Sequence, residues 1–225
     1  MVLGLIFGGG FLLQTYGLKL TTVSKSAFIT GISVVLTPFA YYLIERKSIS
    51  RGQKIGVAIA ALGLWHFTNP RIDHINTGDV LTLFSTMFWA FYITYMDVFT
   101  RDIKSRAETY QLVAMQFVAA APLTAVFYFI IDQGGGQTLH LTHSLLTALA
   151  YNGIIASFVL TLIHTSVQRY TTPVKAALIF SLEPVVANVI AVFVFAELLN
   201  LREYFGAGIL LSGVLISEIT GRMQE

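Results

Sequence analysis

Leu20–Ile29 reads LTTVSKSAFI and Tyr170–Ile179 reads YTTPVKAALI. The two decapeptides stand 150 positions apart and share, in register, a Thr-Thr pair, a lysine, an alanine and an isoleucine. The same offset sets Gly56, Ile59 and Gly63 on Gly206, Ile209 and Gly213. Apolar residues coincide by chance in any hydrophobic chain, so the Ile and Ala matches weigh little. The paired threonines, the lysine and the two glycines weigh more, and they mark one structural unit used twice.

The chain around these copies is built for lipid. Of its 225 residues 55% are hydrophobic and 12% charged, and the mean hydropathy is +0.72. An average soluble domain carries about 25% charged residues, and a soluble core of this size cannot hide so much apolar side chain. The charges gather in short gaps between eight apolar stretches: Val2–Leu18, Ser26–Ile44, Gln53–Thr68, Val80–Thr100, Thr109–Ile131, Ser144–Val167, Pro173–Ala196 and Tyr204–Thr220. At about 20 residues per span, eight spans consume about 160 residues and leave only turns. The expected fold is an all-α polytopic membrane protein with eight transmembrane helices. No basic residue precedes the first apolar run, so a secretory signal peptide is not expected.

Basic residues near span ends are retained on the cytoplasmic side. With sides alternating from Met1, one side receives Arg46, Lys47, Arg51, Lys54, Arg101, Lys104, Arg106, Arg169, Lys175 and Arg222, and the other only Lys19, Lys25, Arg71 and Arg202. Both termini are therefore expected in the cytoplasm. The second copy of the repeat begins five spans after the first, so the two copies face opposite sides of the membrane. An inverted repeat of helices is how many secondary transporters build two gates around one midplane site.

The net charge of +2 leaves no footprint for nucleic acid. The absence of cysteine removes disulfide, thiolate-metal and thiol chemistry. The five histidines show no HExxH arrangement, and no nucleophile elbow is present. His164 reads as a packing or interface residue rather than a proton relay. No enzyme activity, metal or cofactor is expected.

Each copy also holds a small-residue helix with a proline, an acid near its end, and then a helix with spaced glycines: Pro38, Glu45, Gly56 and Gly63, then Pro184 in SLEP, Glu197, Gly206 and Gly213. With GDVLTLFSTMFWAFYITYMDVFTRD at Gly78–Asp102, this pattern resembles the drug/metabolite transporter superfamily and its EamA-type group. The resemblance implies ten helices in two inverted halves of five, a bacterial plasma (inner) membrane location, and export of a small organic metabolite or drug-like solute by alternating access. It divides the chain into residues 1–68, three helices of a first repeat, a linker at 69–77, and a five-helix second repeat at 78–225. The first two family helices are then missing, through truncation or natural shortening. The other reading is a membrane subunit, or an inactive remnant, that carries nothing.

Candidate cavity residues follow from depth. Glu183 lies about 16 Å into its span at 1.5 Å per residue, where a carboxylate is costly and faces a cavity or a partner. It is read as a coupling-proton or substrate-cation group, or as a protonated side chain bonding a neighbouring helix or supporting the break at Pro184. Trp89 and Tyr92 share a helical face and could stack on an organic solute or simply pack. Asn152, Ser157, Thr30 and Ser33 are polar groups at hydrocarbon depth, expected to point into the bundle. Lys25 and Lys175 begin equivalent helices near opposite surfaces, as matched gate contacts or as snorkelling lysines. Pro38 and Pro184 are expected helix breaks. Glu45 and Glu197, near Arg46 and Arg202, read as loop anchors. Gly4/Gly8, Gly52/Gly56 and Gly208/Ser212 give small-xxx-small spacings that permit close helix packing, including a homodimer.

Overall fold

The structure is a computed structural model that describes residues 1–70, 74–132, 141–195 and 200–222. Among them the chain is helical, without a strand. The elements are α1 (Val2–Leu20), α2 (Val23–Gly31), α3 (Ser33–Glu45), α4 (Arg51–Thr68), α5 (Thr77–Thr100), α6 (Arg106–Phe127), α7 (His143–Ala150), α8 (Leu160–Gln168), α9 (Pro173–Phe180), α10 (Glu183–Phe195) and α11 (Leu201–Arg222). A π-helical segment, Tyr151–Val159, joins α7 to α8, and another, Tyr128–Asp132, extends α6. With α2–α3, α7–α8 and α9–α10 each forming one rod, the eight expected stretches become eight rods. Five of them are long and apolar enough to cross a bilayer by composition: Val2–Leu20, Val23–Glu45, Arg106–Ile130, His143–Gln168 and Leu201–Thr220. The protein is thus a polytopic membrane protein.

The repeated threonines and lysines have a local cause. Thr22 accepts a hydrogen bond from the Lys25 backbone N–H at 3.3 Å and caps α2, and Thr172 accepts one from the Lys175 N–H at 3.4 Å and caps α9. A threonine that satisfies an orphan N–H starts a helix at a defined residue. Both rods then break in register. The Ile32 N–H reaches the Ile29 carbonyl and the Leu182 N–H reaches the Ile179 carbonyl, each at 3.1 Å, so both interruptions tighten to an i→i−3 turn.

That position corrects the expectation for Pro38. The first break precedes it by six residues, and Pro38 lies inside α3. Pro184 is the second residue of α10, where its missing N–H would be unpaired in any case. Glu197, Arg71 and part of the 69–77 linker fall outside the described residues.

The repeat reappears as contact geometry. α4 and α11 pack antiparallel through their glycines: Gly56 lies beside Ser217 and Gly213, Ala60 beside Gly213, Gly63 beside Leu210, and Phe67 beside Gly206. A two-fold relating the copies converts a contact between i and j into one between j − 150 and i + 150. Gly56 with Ser217 becomes Phe67 with Gly206, and Ala60 with Gly213 becomes Gly63 with Leu210. All four are observed. A Cβ on Gly56 would stand 2.7 Å from the Gly213 carbonyl oxygen, and one on Gly213 would stand 2.7 Å from that of Gly56. Gly4 and Gly8 press in the same way on Gln116, Ala119 and Ala120 of α6, whereas a Cβ on Gly208 would meet nothing within 4 Å. Two of the three small-residue spacings therefore serve packing inside the chain.

α5 runs through the middle of the bundle, against α1, α2 and α3 on one side and α8 and α9 on the other. Its hydroxyl-rich face makes this closeness affordable. Ser85 donates to the Gly10 carbonyl at 2.9 Å and Thr86 to the Ile29 carbonyl at 3.0 Å, while Gly17 leaves room for Thr82. Small and hydroxylated residues let backbones approach where lipid supplies no hydrophobic drive.

Candidate solute site at the centre of the bundle

Two aromatic residues one turn apart on α5 hold opposite arms of a polar cluster. Trp89 Nε1 donates to Gln14 Oε1 at 3.0 Å, and Gln14 Nε2 donates to Thr30 Oγ1 at 3.4 Å. Tyr92 donates its hydroxyl proton to Gln116 Oε1 at 2.7 Å, and its ring stands 5.8 Å from that of His164. His164 Nε2 lies 2.8 Å from Gln168 Oε1, and its ring rests edge-on against Phe180 at 4.9 Å. The arms are repeat counterparts: the 150-residue offset carries Gln14 onto His164 and Thr30 onto Phe180. Phe7 closes the cluster, 5.4 Å from the Tyr92 ring and 6.1 Å from that of Trp89.

The ends of α5 are pinned by charge. At its start, the Asp79 carboxylate accepts the Thr21 hydroxyl, caps its own helix together with Asn76, and lies 3.5 Å from Lys25 Nζ. Lys25 Nζ also donates to the His74 carbonyl at 2.7 Å. At the other end, Arg101 bridges Asp97 and Glu45, the latter at 2.7 Å, and Lys47 lies 3.4 Å from Glu45. All three acids sit near the end of an apolar helix, where an unpaired carboxylate is costly.

Of the residues expected from sequence to line a cavity, the structure brings Trp89, Tyr92 and Thr30 together. Ser33 is buried at the start of α3, and Ser157 is half-buried at the repeat position of Phe7. Asn152 is exposed and donates to the Ala148 carbonyl of its own helix at 2.9 Å. Glu183 is exposed at the start of α10, the repeat position of Ser33, three residues beyond Phe180. Lys25 and Lys175 occupy opposite ends of the bundle with different partners, since Lys175 Nζ lies 3.4 Å from Glu218 of α11. Glu45 pairs with Arg101 and Lys47 rather than with Arg46, and Arg202 Nε donates to the His66 carbonyl at 2.9 Å.

Gln14, Gln116, His164, Gln168, Asp79 and Asp97 were not legible as site residues. Gln14 and His164 carried one usable signal: polar residues 150 apart, each in a span. The apolar recess of about 430 Å³ between α2 and α4, lined by Phe28, Ile32, Ala58, Ala61, Leu62, Leu64 and Trp65, contains none of this chemistry. It is a groove in the apolar surface, and the polar cluster is the stronger candidate.

Residues 76–218 match the EamA-like transporter family. The chain belongs to this family. It is also 30% identical over 207 residues to a protein of Archaeoglobus fulgidus described as an uncharacterized transporter, covering 92% of this chain and 64% of that protein. The chain therefore spans less than two thirds of that relative's length. A solved crystal structure of a protein superposes with a TM-score of 0.80 at 14% identity, covering all of this chain and 77% of the other. That likeness shows a shared fold. With the family established, this EamA-type chain is an integral membrane protein of a transporter family.

Proposed function

We propose that the chain forms the solute-translocating part of a secondary carrier that exports a small organic solute by alternating access, with both termini in the cytoplasm. The observation that carries this reading is the polar-aromatic cluster in the middle of the bundle, supplied by both repeat copies. A site reached alternately from two sides needs matched arms and a closure at each end. Gln14 with Thr30 and His164 with Phe180 are the arms; Thr21–Lys25–Asp79 and Glu45–Arg101–Asp97 are the closures. Lys25 is thereby a gate contact, and Lys175 with Glu218 supports the end that holds Met1. Glu183 stands as a proton-coupling candidate outside the cluster.

The chain has no native cysteine, so paired cysteines test the reading cleanly. In proteoliposomes, a cross-link between Thr21→Cys and Asp79→Cys, or between Glu45→Cys and Arg101→Cys, is expected to abolish solute counterflow, with reduction restoring it. Flux that continues with either end cross-linked would reject alternating access. Glu183→Gln is expected to flatten the pH dependence of flux, and an unchanged profile would remove Glu183 from the coupling step.

A second reading is favoured by the exposed face of His143–Gln168, of which only 6% is buried in its most apolar window. On this reading residues 1–68 and 78–225 are unequal halves, and helices equivalent to α5 and α6 belong against α7, α8 and α10. Such helices would come from the same polypeptide, or from another membrane protein to which this chain is a subunit. Purification as a stable, solute-binding single chain would reject the subunit alternative.

A further inference from the structure

Gln116 carries a bond left unmade. Its residue is 1% exposed, its Oε1 takes the Tyr92 proton, and its Nε2 has no hydrogen-bond partner among the described residues. Turning the amide over exchanges the two atoms and still leaves one of them unpaired. A buried carboxamide in this condition bears the desolvation cost of an unmade hydrogen bond. Across the Tyr92 ring, His164 Nε2 lies 2.8 Å from Gln168 Oε1; with the ring proton on Nε2, Nδ1 is an acceptor. Gln168 Nε2 is likewise buried without a hydrogen-bond partner among the described residues. Tyr92 is thus flanked by an amide with a free donor and an imidazole with a free acceptor, walled by Phe7, Trp89 and Phe180.

The cluster is as notable for its charge. Gln14, Thr30, Trp89, Tyr92, Gln116 and Gln168 carry none, and the hydrogen-bond partner of His164 is the uncharged Gln168 amide. The acid nearest in sequence on α5 is Asp97, held by Arg101, which also holds Glu45. A solute with net charge would be desolvated here without a counter-ion, at a cost that neutral dipoles do not repay.

We propose that this cluster binds a planar-ring solute of zero net charge bearing an amide-like donor–acceptor group, its acceptor on Gln116 and its donor on His164 Nδ1. The proposal deepens the carrier reading by naming the substrate class, and binding can be measured apart from flux.

Trp65 and Trp89 are the two tryptophans, so the whole chain carrying Trp65→Phe, in lipid nanodiscs, reports through Trp89 alone. Benzamide, benzoate and benzamidinium present one ring with zero, negative and positive charge. Benzamide is expected to change Trp89 fluorescence at concentrations about tenfold or more below either ion. Gln116→Leu is expected to weaken benzamide about tenfold, and Gln116→Glu to shift preference to benzamidinium. Equal or tighter binding of either ion by the Trp65→Phe chain overturns the proposal, and this comparison needs no core variant to fold. Benzamide binding that survives Gln116→Leu overturns it as well. Benzamide bound in nanodiscs yet not carried in proteoliposomes would count against the carrier and leave the site standing. Flux of other solutes without benzamide binding would do the reverse.

Discussion

α1 and the α7–α8 rod hold the same place in the two copies of the repeat, yet one is packed and the other bare. Within α1, 33% of the most apolar window is buried, against 6% for His143–Gln168. Gly4 and Gly8 touch α6, Gly10 and Gly17 touch α5, and a Cβ on Gly153 would meet nothing within 4 Å. The two-fold that holds contact by contact across α4 and α11 does not extend to these rods, because α5 and α6 cover α1 and no described helix covers α7 in their place. Sequence similarity thus fixes the path of a helix through the membrane. Its neighbours decide whether each side chain meets protein or lipid.

The comparison can be broken most forcefully at Gly4. Gly4→Val drives a branched side chain into the Gln116 backbone and Ala119 and is expected to cost about 3 kcal/mol, read as a lowered unfolding temperature in detergent. A smaller effect separates the repeat-related lysines. The side chains of Lys25 and Asp79 are 11% and 9% exposed, whereas those of Lys175 and Glu218 are 15% and 36% exposed. Lys25→Ala is expected to cost about 2 kcal/mol, below the full value of a buried pair because water reaches that end, and Lys175→Ala less than about 1 kcal/mol. Equal losses would show that the two clamps are equivalent after all.

On the bare side the effects shrink. Asn152→Leu removes only a bond to the residue's own helix and is expected to change stability by less than about 1 kcal/mol; a larger loss would mean that the face is covered. Gly153→Ala is expected to stabilise the rod by about 0.5 kcal/mol, since alanine gives up less backbone entropy and has open space for its methyl group.

The fold was largely legible because lipid imposes a coarse rule. Apolar stretches of span length had to become helices, since no other open structure satisfies the backbone there, and the boundaries fell within a few residues of the expected ones. The Thr22 and Thr172 caps were visible as a repeated motif before their role was. Helix breaks were harder. Proline stood two residues beyond the break at Leu182 and six beyond the one at Ile32, and both breaks rest on the same i→i−3 turn rather than on a missing N–H.

The site was legible only in part. Trp89, Tyr92 and Thr30 stood out as aromatic or polar residues at depth, while Gln116 looked like one more polar residue in a long helix and Asp97 like an end-of-span acid. Glu183, conspicuous in sequence, sits on the exposed surface of α10. From the chain alone came the helical, membrane-spanning class and the 150-residue offset between two similar segments, because hydropathy and residue spacing are properties of residue order. Which polar groups meet was decided by tertiary packing: hydrogen bonds join Trp89 to Gln14 and Tyr92 to Gln116 across up to 75 positions, the Tyr92 ring meets that of His164, and only the crossing of α5 between the two copies brings them within a few ångströms.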